Sequence, residues 1–390
     1  MNIFKSAAKY EAWLRAHLDA VVEKDLAVKH KKMAGDPFQF LRATYWRWAE
    51  TVYGICGELK DAPQVLAVGD VHVENFGTWR DDEGRLVWGV NDFDEAAKMP
   101  YVLDIVRLAA SAVLAKVPGI TPTEICASVA EGYAKGLKSP ASFVLDEEHK
   151  WLRDVVVVSN KDRKKFWAKF DPARIAEAKP EKVDPVAPGE LRGRYRKAIE
   201  RARPDSAIEL QFYSREAGTG SLGRPRFFGV GPWHGALIVR EAKAMARSGW
   251  TLAHGGAHRL RCAEIATGTY RCPDPTYHLR GHVLVRRLSP NDFKIEAEQP
   301  KKKKAGKPKD EKVNALPPRQ LINARMLHAM GHELASIHRG TREKDDIEAD
   351  LEARADGWLL ASVTAAAAAI TAEQREWKKH PEKWPGPPKS

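Results

Sequence analysis

Asp70, His72, Asn75, Asp92 and Asp94 fall within one short stretch, residues 65–97, reading VLAVGDVHVENFGTWRDDEGRLVWGVNDFDEAA. Carboxylates and side-chain amides are the hard oxygen ligands that Mg2+ takes, and a carboxylate left over can accept a proton. Two apolar runs, Val65 to Val68 and Leu86 to Val90, each end in such groups. Between them, Phe76 to Arg80, the turn-like Asp81-Asp82-Glu83-Gly84 and Arg85 to Val90 predict a hairpin with glycine at the positive-φ position. A turn centred between Glu83 and Gly84 sets Asn75 opposite Asp92, so an amide oxygen and a carboxylate converge beside Asp70. The stretch is a candidate active site, weighed against Asx residues that merely form turns at strand ends.

A second constellation is Gly218-Thr219-Gly220-Ser221-Leu222-Gly223. The same spacing marks dinucleotide-binding turns, but those run into a helix, and Phe227 to Val230 and Ala236 to Arg240 read as strands. A glycine loop between two strands is the flap that covers phosphates in kinases. The ordinary alternative is a plain hairpin. His328 and His332 stand one helical turn apart, as metal ligands can. The second histidine of H-E-x-x-H is missing after His332-Glu333-Leu334-Ala335-Ser336, which favours core or surface histidines.

Asp70-x-His72-x-x-Asn75 followed by Asp92-Phe93-Asp94 resembles the catalytic loop and metal-binding aspartate of aminoglycoside-phosphotransferase-like kinases. Pro100-Tyr101-Val102-Leu103-Asp104-Ile105 resembles their segment with a buried aspartate at a helix start. With Met33-Ala34-Gly35-Asp36-Pro37-Phe38-Gln39-Phe40-Leu41-Arg42 and the glycine loop, the chain also resembles an uncharacterised bacterial family, domain of unknown function 2252, grouped with the protein-kinase-like superfamily. The resemblance implies a phosphotransferase that uses ATP and Mg2+. In that reading Asp70 orients or deprotonates an acceptor hydroxyl, Asn75 and Asp92 hold Mg2+ against the ATP phosphates, Asp94 assists a second metal or holds the loop, and His72 orders the loop backbone. Gly218, Gly220, Ser221 and Gly223 cover the phosphates. The cation expected on the third strand aligns with Arg240, where the family carries lysine. Lys243 follows three residues on, and Glu264 or Glu241 is the candidate partner of that cation. Arginine and lysine are not equivalent phosphate ligands, so this departure also admits a noncatalytic nucleotide-binding protein.

The elements that must position these groups follow from periodicity. Residues 3–30, with Trp13, Leu14, Leu18, Val21, Val22 and Leu26 on one side, predict an amphipathic helix. Asp36-Pro37 predicts a capped start to a helix running through Trp46 and Trp48. Further helices are predicted from Tyr101 to Lys116 and from Thr123 to Leu137, and the charged, proline-interrupted residues 138–205 predict irregular connections with short helices. From Ala207 the pattern alternates as a small antiparallel sheet, with a helix over 257–268 and another strand at Val283-Leu284-Val285. Pro317 to His338 and residues 346–376 return to helix. Asp104 and Arg107, three residues apart, predict a structural ion pair. The expected architecture is an α+β, protein-kinase-like two-lobe fold with a helical large lobe and a small antiparallel-sheet lobe. Because the catalytic block precedes the glycine loop, it is expected to be circularly permuted. The expected boundaries are 1–205 for the helical lobe with the catalytic hairpin, 206–300 for the nucleotide-binding sheet lobe, 301–316 for a Lys-rich linker, 317–376 for helices returning to the large lobe, and 377–390 for a tail.

At 390 residues, 43% hydrophobic and 30% charged, the chain can bury the cores of two lobes. No apolar run reaches the length of a membrane span and the N-terminus lacks a signal-peptide core, so a cytoplasmic protein without a membrane partner is expected. Cys56, Cys126, Cys262 and Cys272 are scattered without C-x-x-C spacing, which argues against a zinc site or a disulfide framework. The net charge of +12 suits a phosphate-rich partner. Part of it comes from Lys301 to Lys312, read as a solvated loop. A nucleotide and a small-molecule or protein acceptor are the expected partners, and no recognised motif points to nucleic acid. Val68-Gly69-Asp70-Val71-His72 also resembles the first metal block of metallophosphoesterases. Gly255-Gly256-Ala257-His258 and Gly331-His332-Glu333 lack the asparagine of their later block. Nucleotidyl and phosphoryl transfer are not separated by the sequence.

Overall fold

The computed structural model describes residues 1–178, 183–186, 193–256, 258–295 and 321–387. The lysine run at 301–312 and the linker expected at 301–316 lie outside these residues. The strands are β1 (Gln64–Ala67), β2 (Phe76–Arg80), β3 (Leu86–Val90), β4 (Ala97–Pro100), β5 (Phe143–Val144), β6 (Val183–Pro185), β7 (Gln211–Arg215), β8 (Arg226–Trp233), β9 (Ala236–Ala244), β10 (His278–Arg280) and β11 (Val283–Arg287). They form three antiparallel sheets: β1 with β4, β2-β3-β5, and a six-stranded sheet in the order β10-β11-β9-β8-β7-β6. With helices packed around them, this is an α+β architecture.

Several predicted helices are cut or shifted by a tertiary contact or by local capping chemistry that periodicity does not carry. Residues 3–30 form two helices, Ile3–His17 and Glu23–Met33, because the chain turns out at Leu18 and the Val22 amide donates to the Gly223 carbonyl at 2.9 Å. Asp36 caps Pro37–Ala43 as its sequence predicts, through its side chain to the Gln39 amide. That helix ends at Thr44, whose hydroxyl bonds back to the Phe40 carbonyl at 2.7 Å, and Tyr45–Ile55 begins afresh. Pro122–Lys138 starts one residue before the predicted Thr123, because Thr121 and Glu124 close a capping box. Residues 346–376 divide into Lys344–Ala353 and Trp358–Lys379, with Gly357 at a φ of 76° between them.

The helix Val102–Leu114 is buried along nearly its whole length and is covered on one side by Trp358–Lys379, which buries Leu359, Val363, Ala366 and Ile370. Among the described residues no single helix is long and apolar enough to cross a membrane. The four cysteines are free.

Pro122–Lys138 and Ala324–Arg339 pack closely against each other, and glycine makes the approach possible. A Cβ on Gly132 would overlap the His328 carbonyl, and one on Gly331 the Val129 carbonyl. Gly132→Ala is expected to destabilise the fold by about 2 kcal/mol, since backbone must move to admit the methyl. An unchanged urea midpoint would contradict this close crossing.

Candidate active site

The loop after β1 is held from below by one buried carboxylate. Asp104, in the first turn of Val102–Leu114, accepts from the Val68 amide at 2.7 Å and the Gly69 amide at 3.0 Å. His338 Nε2 lies 3.2 Å from the same carboxylate, and its Nδ1 is 2.8 Å from the Tyr133 hydroxyl. Asp104 is therefore a pin for the loop and not the partner of Arg107. Helical spacing brings the two near, but the Asp104 oxygens are committed to backbone amides that a strand end leaves unpaired.

Arg107 instead reaches Asp70. Its Nη2 bonds Asp70 Oδ1 and the Leu41 carbonyl at 2.9 Å, and its guanidinium lies over the rings of Tyr45 and Trp48. One carboxylate oxygen of Asp70 is thus fixed. The other, Oδ2, faces Gly220, where an added Cβ would stand 3.2 Å away. Burial pushes the Asp70 carboxyl up and Arg107 pulls it down, leaving it at about 6. A carboxylate poised there is suited to proton work near neutral pH.

The hairpin forms, but its register differs from the predicted one by one residue. Phe76 pairs with Val90, and the Asn91 amide donates to the Asn75 carbonyl at 2.9 Å, so Asn75 stands opposite Asn91 and not Asp92. The turn is the cause. Asp81 Oδ1 accepts from the amides of Glu83 and Arg85, and Gly84 takes a φ of 75°, which makes a three-residue loop centred on Glu83. Asn75 and Asp92 still line the same chamber with Asp70, His72 and Asp94. Asn75 Nδ2 donates to the Asp70 carbonyl at 2.5 Å, which turns its amide oxygen away from that bond as a possible ligand. His72 accepts from the Glu74 amide through Nδ1. Burial and the charges of Arg42 and Lys294 hold it far below the ordinary histidine pKa, so it orders the loop as a neutral imidazole.

The cation that meets these carboxylates is Lys243. Its ammonium lies 3.4 Å from Asp92 Oδ1 and 2.6 Å from Asp94 Oδ1. Burial disfavours charge on both acids, but Lys243, Lys294 and Arg286 hold Asp92 well below the usual carboxylate range, while burial and Asp92 itself raise Asp94. Arg240 is three residues away on β9 and therefore on the opposite face. Its Nε donates to the Ala202 carbonyl at 2.7 Å, beside the helix Gly193–Arg201. Glu264 does not pair with that cation but with Arg259 and Arg261. Glu241 shares the Lys243 face but is bound by Arg215, Arg226 and Arg286, which keep it ionised despite burial.

The glycine loop joins β7 to β8 and closes over Asp70. Lys29 donates to the Gly220 carbonyl at 2.8 Å, and Arg226 to the Ser221 hydroxyl at 2.9 Å. Arg224, just past the loop, donates to Glu95 at 2.8 Å, and Glu95 also accepts from the Gly249 amide at 2.7 Å. Glu95, Arg224 and Lys29 carry no signal in the sequence, and the spacing that singles out Arg107 gives it the wrong partner: each role depends on a fold-level contact.

Two cavities meet at this point. A small chamber of about 40 Å3 is lined by Asp70, His72, Asn75, Asp92, Asp94 and Gly218 to Ser221. Beside it lies a larger cavity of about 330 Å3, walled by Trp79, Phe93, Phe170, Tyr277 and Leu288. Its size and aromatic lining fall in the range of small-molecule sites. Among the described residues no cluster of three or more His, Cys, Asp or Glu is arranged to hold a metal, His328 and His332 included. Asp92, Asp94 and Asn75 line one chamber, and carboxylates and amide oxygens are the ligand types that Mg2+ takes.

Residues 21–170 match the family described as "Uncharacterized protein conserved in bacteria (DUF2252)". The matched span holds Asp70, Asn75, Asp92, Asp94, Asp104 and Arg107, while the glycine loop and Lys243 lie beyond it. No curated protein and no solved structure matches the chain.

Proposed function

We propose that the protein is an ATP- and Mg2+-dependent phosphotransferase of kinase-like, circularly permuted fold that acts on a hydroxyl acceptor. The observation that carries this reading is the convergence of Asp70, Asn75, Asp92 and Asp94 from residues 65–97 with Lys243 and the glycine loop from residues 211–244. A strand, a glycine loop, a second strand and a lysine on the third strand are the parts that kinases use to hold nucleotide phosphates. The permutation is supported by the helix Ala324–Arg339, which follows the six-stranded sheet yet packs on Pro122–Lys138, β1 and β3.

In this account Asn75, Asp92 and Asp94 hold Mg2+, which supplies charge neutralisation and orientation of the phosphates. Lys243 and the loop amides of Gly218 to Gly223 bind the phosphate chain. The aromatic cavity beside Asp92 takes the base. Asp70 Oδ2 orients the acceptor hydroxyl and accepts its proton as the oxygen bonds to phosphorus and the bridging oxygen leaves with ADP. Arg107 holds Asp70 by its other oxygen and keeps it ionised near neutral pH.

The noncatalytic alternative drew on Arg240 in the place of lysine. With Lys243 on the carboxylate face, that departure loses its force. Melting of the purified protein tests the proposal: ATP with Mg2+ is expected to raise the midpoint, and ATP with chelator or Mg2+ alone is expected to leave it nearly unmoved. No shift with saturating Mg-ATP would contradict it.

A pH dependence follows from Asp70. The rate of ADP formation should rise through pH about 6 as the carboxyl ionises. Arg107 lowers that pKa, so Arg107→Met, which keeps the stem between Tyr45 and Trp48, should move the limb to higher pH. A limb that stays in place would show that Asp70 is not the titrating base.

A further inference from the structure

We infer that Lys294 is a catalytic residue that binds the transferred phosphoryl group, a role that rests on the phosphotransferase reading above. Residues 291–295 follow β11 and come back to the site as an added strand on the free edge of β2. The Thr78 amide donates to the Phe293 carbonyl at 2.9 Å, the Phe293 amide to the Thr78 hydroxyl at 2.8 Å, and the Ile295 amide to the Phe76 carbonyl at 3.3 Å. Lys294 itself pairs with Gly77 across an antiparallel bridge. Only glycine permits this, because a Cβ on Gly77 would overlap the Phe293 carbonyl and the Asn91 side chain.

The alternation of that strand buries Ile295 and leaves Lys294 solvent-exposed on the other face, where it lines the cleft. Lys294 and Asp92 are the two residues that line both the phosphate chamber and the aromatic cavity. Its charged neighbours are Arg42, Asp92, Glu74 and Arg286, and its charge also acts on His72. Lys243 is already engaged by Asp92 and Asp94. Among the described residues Lys294 forms no ion pair or hydrogen bond, so its ammonium is free for a ligand.

A nucleotide with its base in the aromatic cavity must pass its phosphates between Asp92 and Lys294 to bring the terminal one before Asp70. Lys294 then meets the oxygens on which charge is carried during transfer, the place where a fixed cation is most effective. It donates hydrogen bonds only and keeps its protons. The acceptor oxygen bonds to phosphorus, the bridging oxygen leaves with its electron pair on ADP, and the hydroxyl proton goes to Asp70.

Calorimetric titration of the full chain with Mg-ATP and Mg-ADP tests this in wild type, Lys294→Ala and Lys294→Gln, the latter preserving the stem should alanine impair folding. Wild type is expected to prefer ATP. Both variants should lose about tenfold in ATP affinity, the order expected for one charge-assisted hydrogen bond, and change little for ADP. An unchanged ATP preference, or equal loss for both nucleotides, would overturn the assignment of Lys294 while leaving the nucleotide site in place. Absence of binding by folded wild type would remove the phosphotransferase reading itself, and this inference with it.

Discussion

Lys243→Met is expected to cost about 3 kcal/mol of stability at neutral pH, because it removes the ammonium that bridges Asp92 and Asp94. The methionine stem fills the space, so the loss is electrostatic. Without Lys243 the two carboxylates raise one another's pKa, and a carboxyl with a raised folded pKa costs stability as pH rises through its unfolded and then its folded value. The deficit should therefore shrink on acidification and be largest above neutrality. Mg2+ should recover part of it by taking the place of the ammonium between the acids. Urea denaturation of wild type and variant at two pH values, with and without Mg2+, reads all three effects. Equal stability at neutral pH would mean that the contact between β9 and the Asp92 segment does not hold the site together.

Asp104→Ala should be at least as damaging, on the order of 3 kcal/mol or more, because it strips partners from the Val68 and Gly69 amides and from His338 at once. Asp104→Asn, which keeps one acceptor, should fall between. The loss is one of stability first, and of loop order at Asp70 as a consequence. A variant with a normal melting temperature that nevertheless loses nucleotide-dependent chemistry would contradict this, and would move Asp104 from pin to participant. Restoring the stability of Asp104→Ala by changing Arg107 would equally contradict it, since the two do not pair.

Much of the site was legible because its residues sit close in sequence. Asp70, Asn75, Asp92 and Asp94 are brought together by one local hairpin, and local geometry is what motif reasoning captures. The register error at Asn75 shows the limit. One extra turn residue, recruited by the Asp81 side chain, shifts every pair by one position without changing the hydrophobic pattern enough to reveal it. Arg240 shows a second limit. Alignment of a motif gives an approximate position, whereas the face of a strand depends on parity, and parity assigns the cleft to Lys243 and the helix side to Arg240. Arg107, Glu95 and Lys294 were beyond sequence reasoning because their contacts join segments tens to hundreds of residues apart. The helix break near residue 18 has the same origin, since the glycine loop takes the Val22 amide, whereas the break at Thr44 is local, set by its hydroxyl on the Phe40 carbonyl.

The central claim is that the Asp92 segment and the glycine-loop sheet together form a metal-dependent nucleotide site. Calorimetric titration of wild type and Asp92→Asn with ATP, in the presence and absence of Mg2+, tests it most directly. The account predicts wild-type binding that requires Mg2+ and weakens by about tenfold or more in the variant, as the loss of a metal ligand demands. Binding by Asp92→Asn as tight as by wild type, or no binding by folded wild type at all, would contradict it.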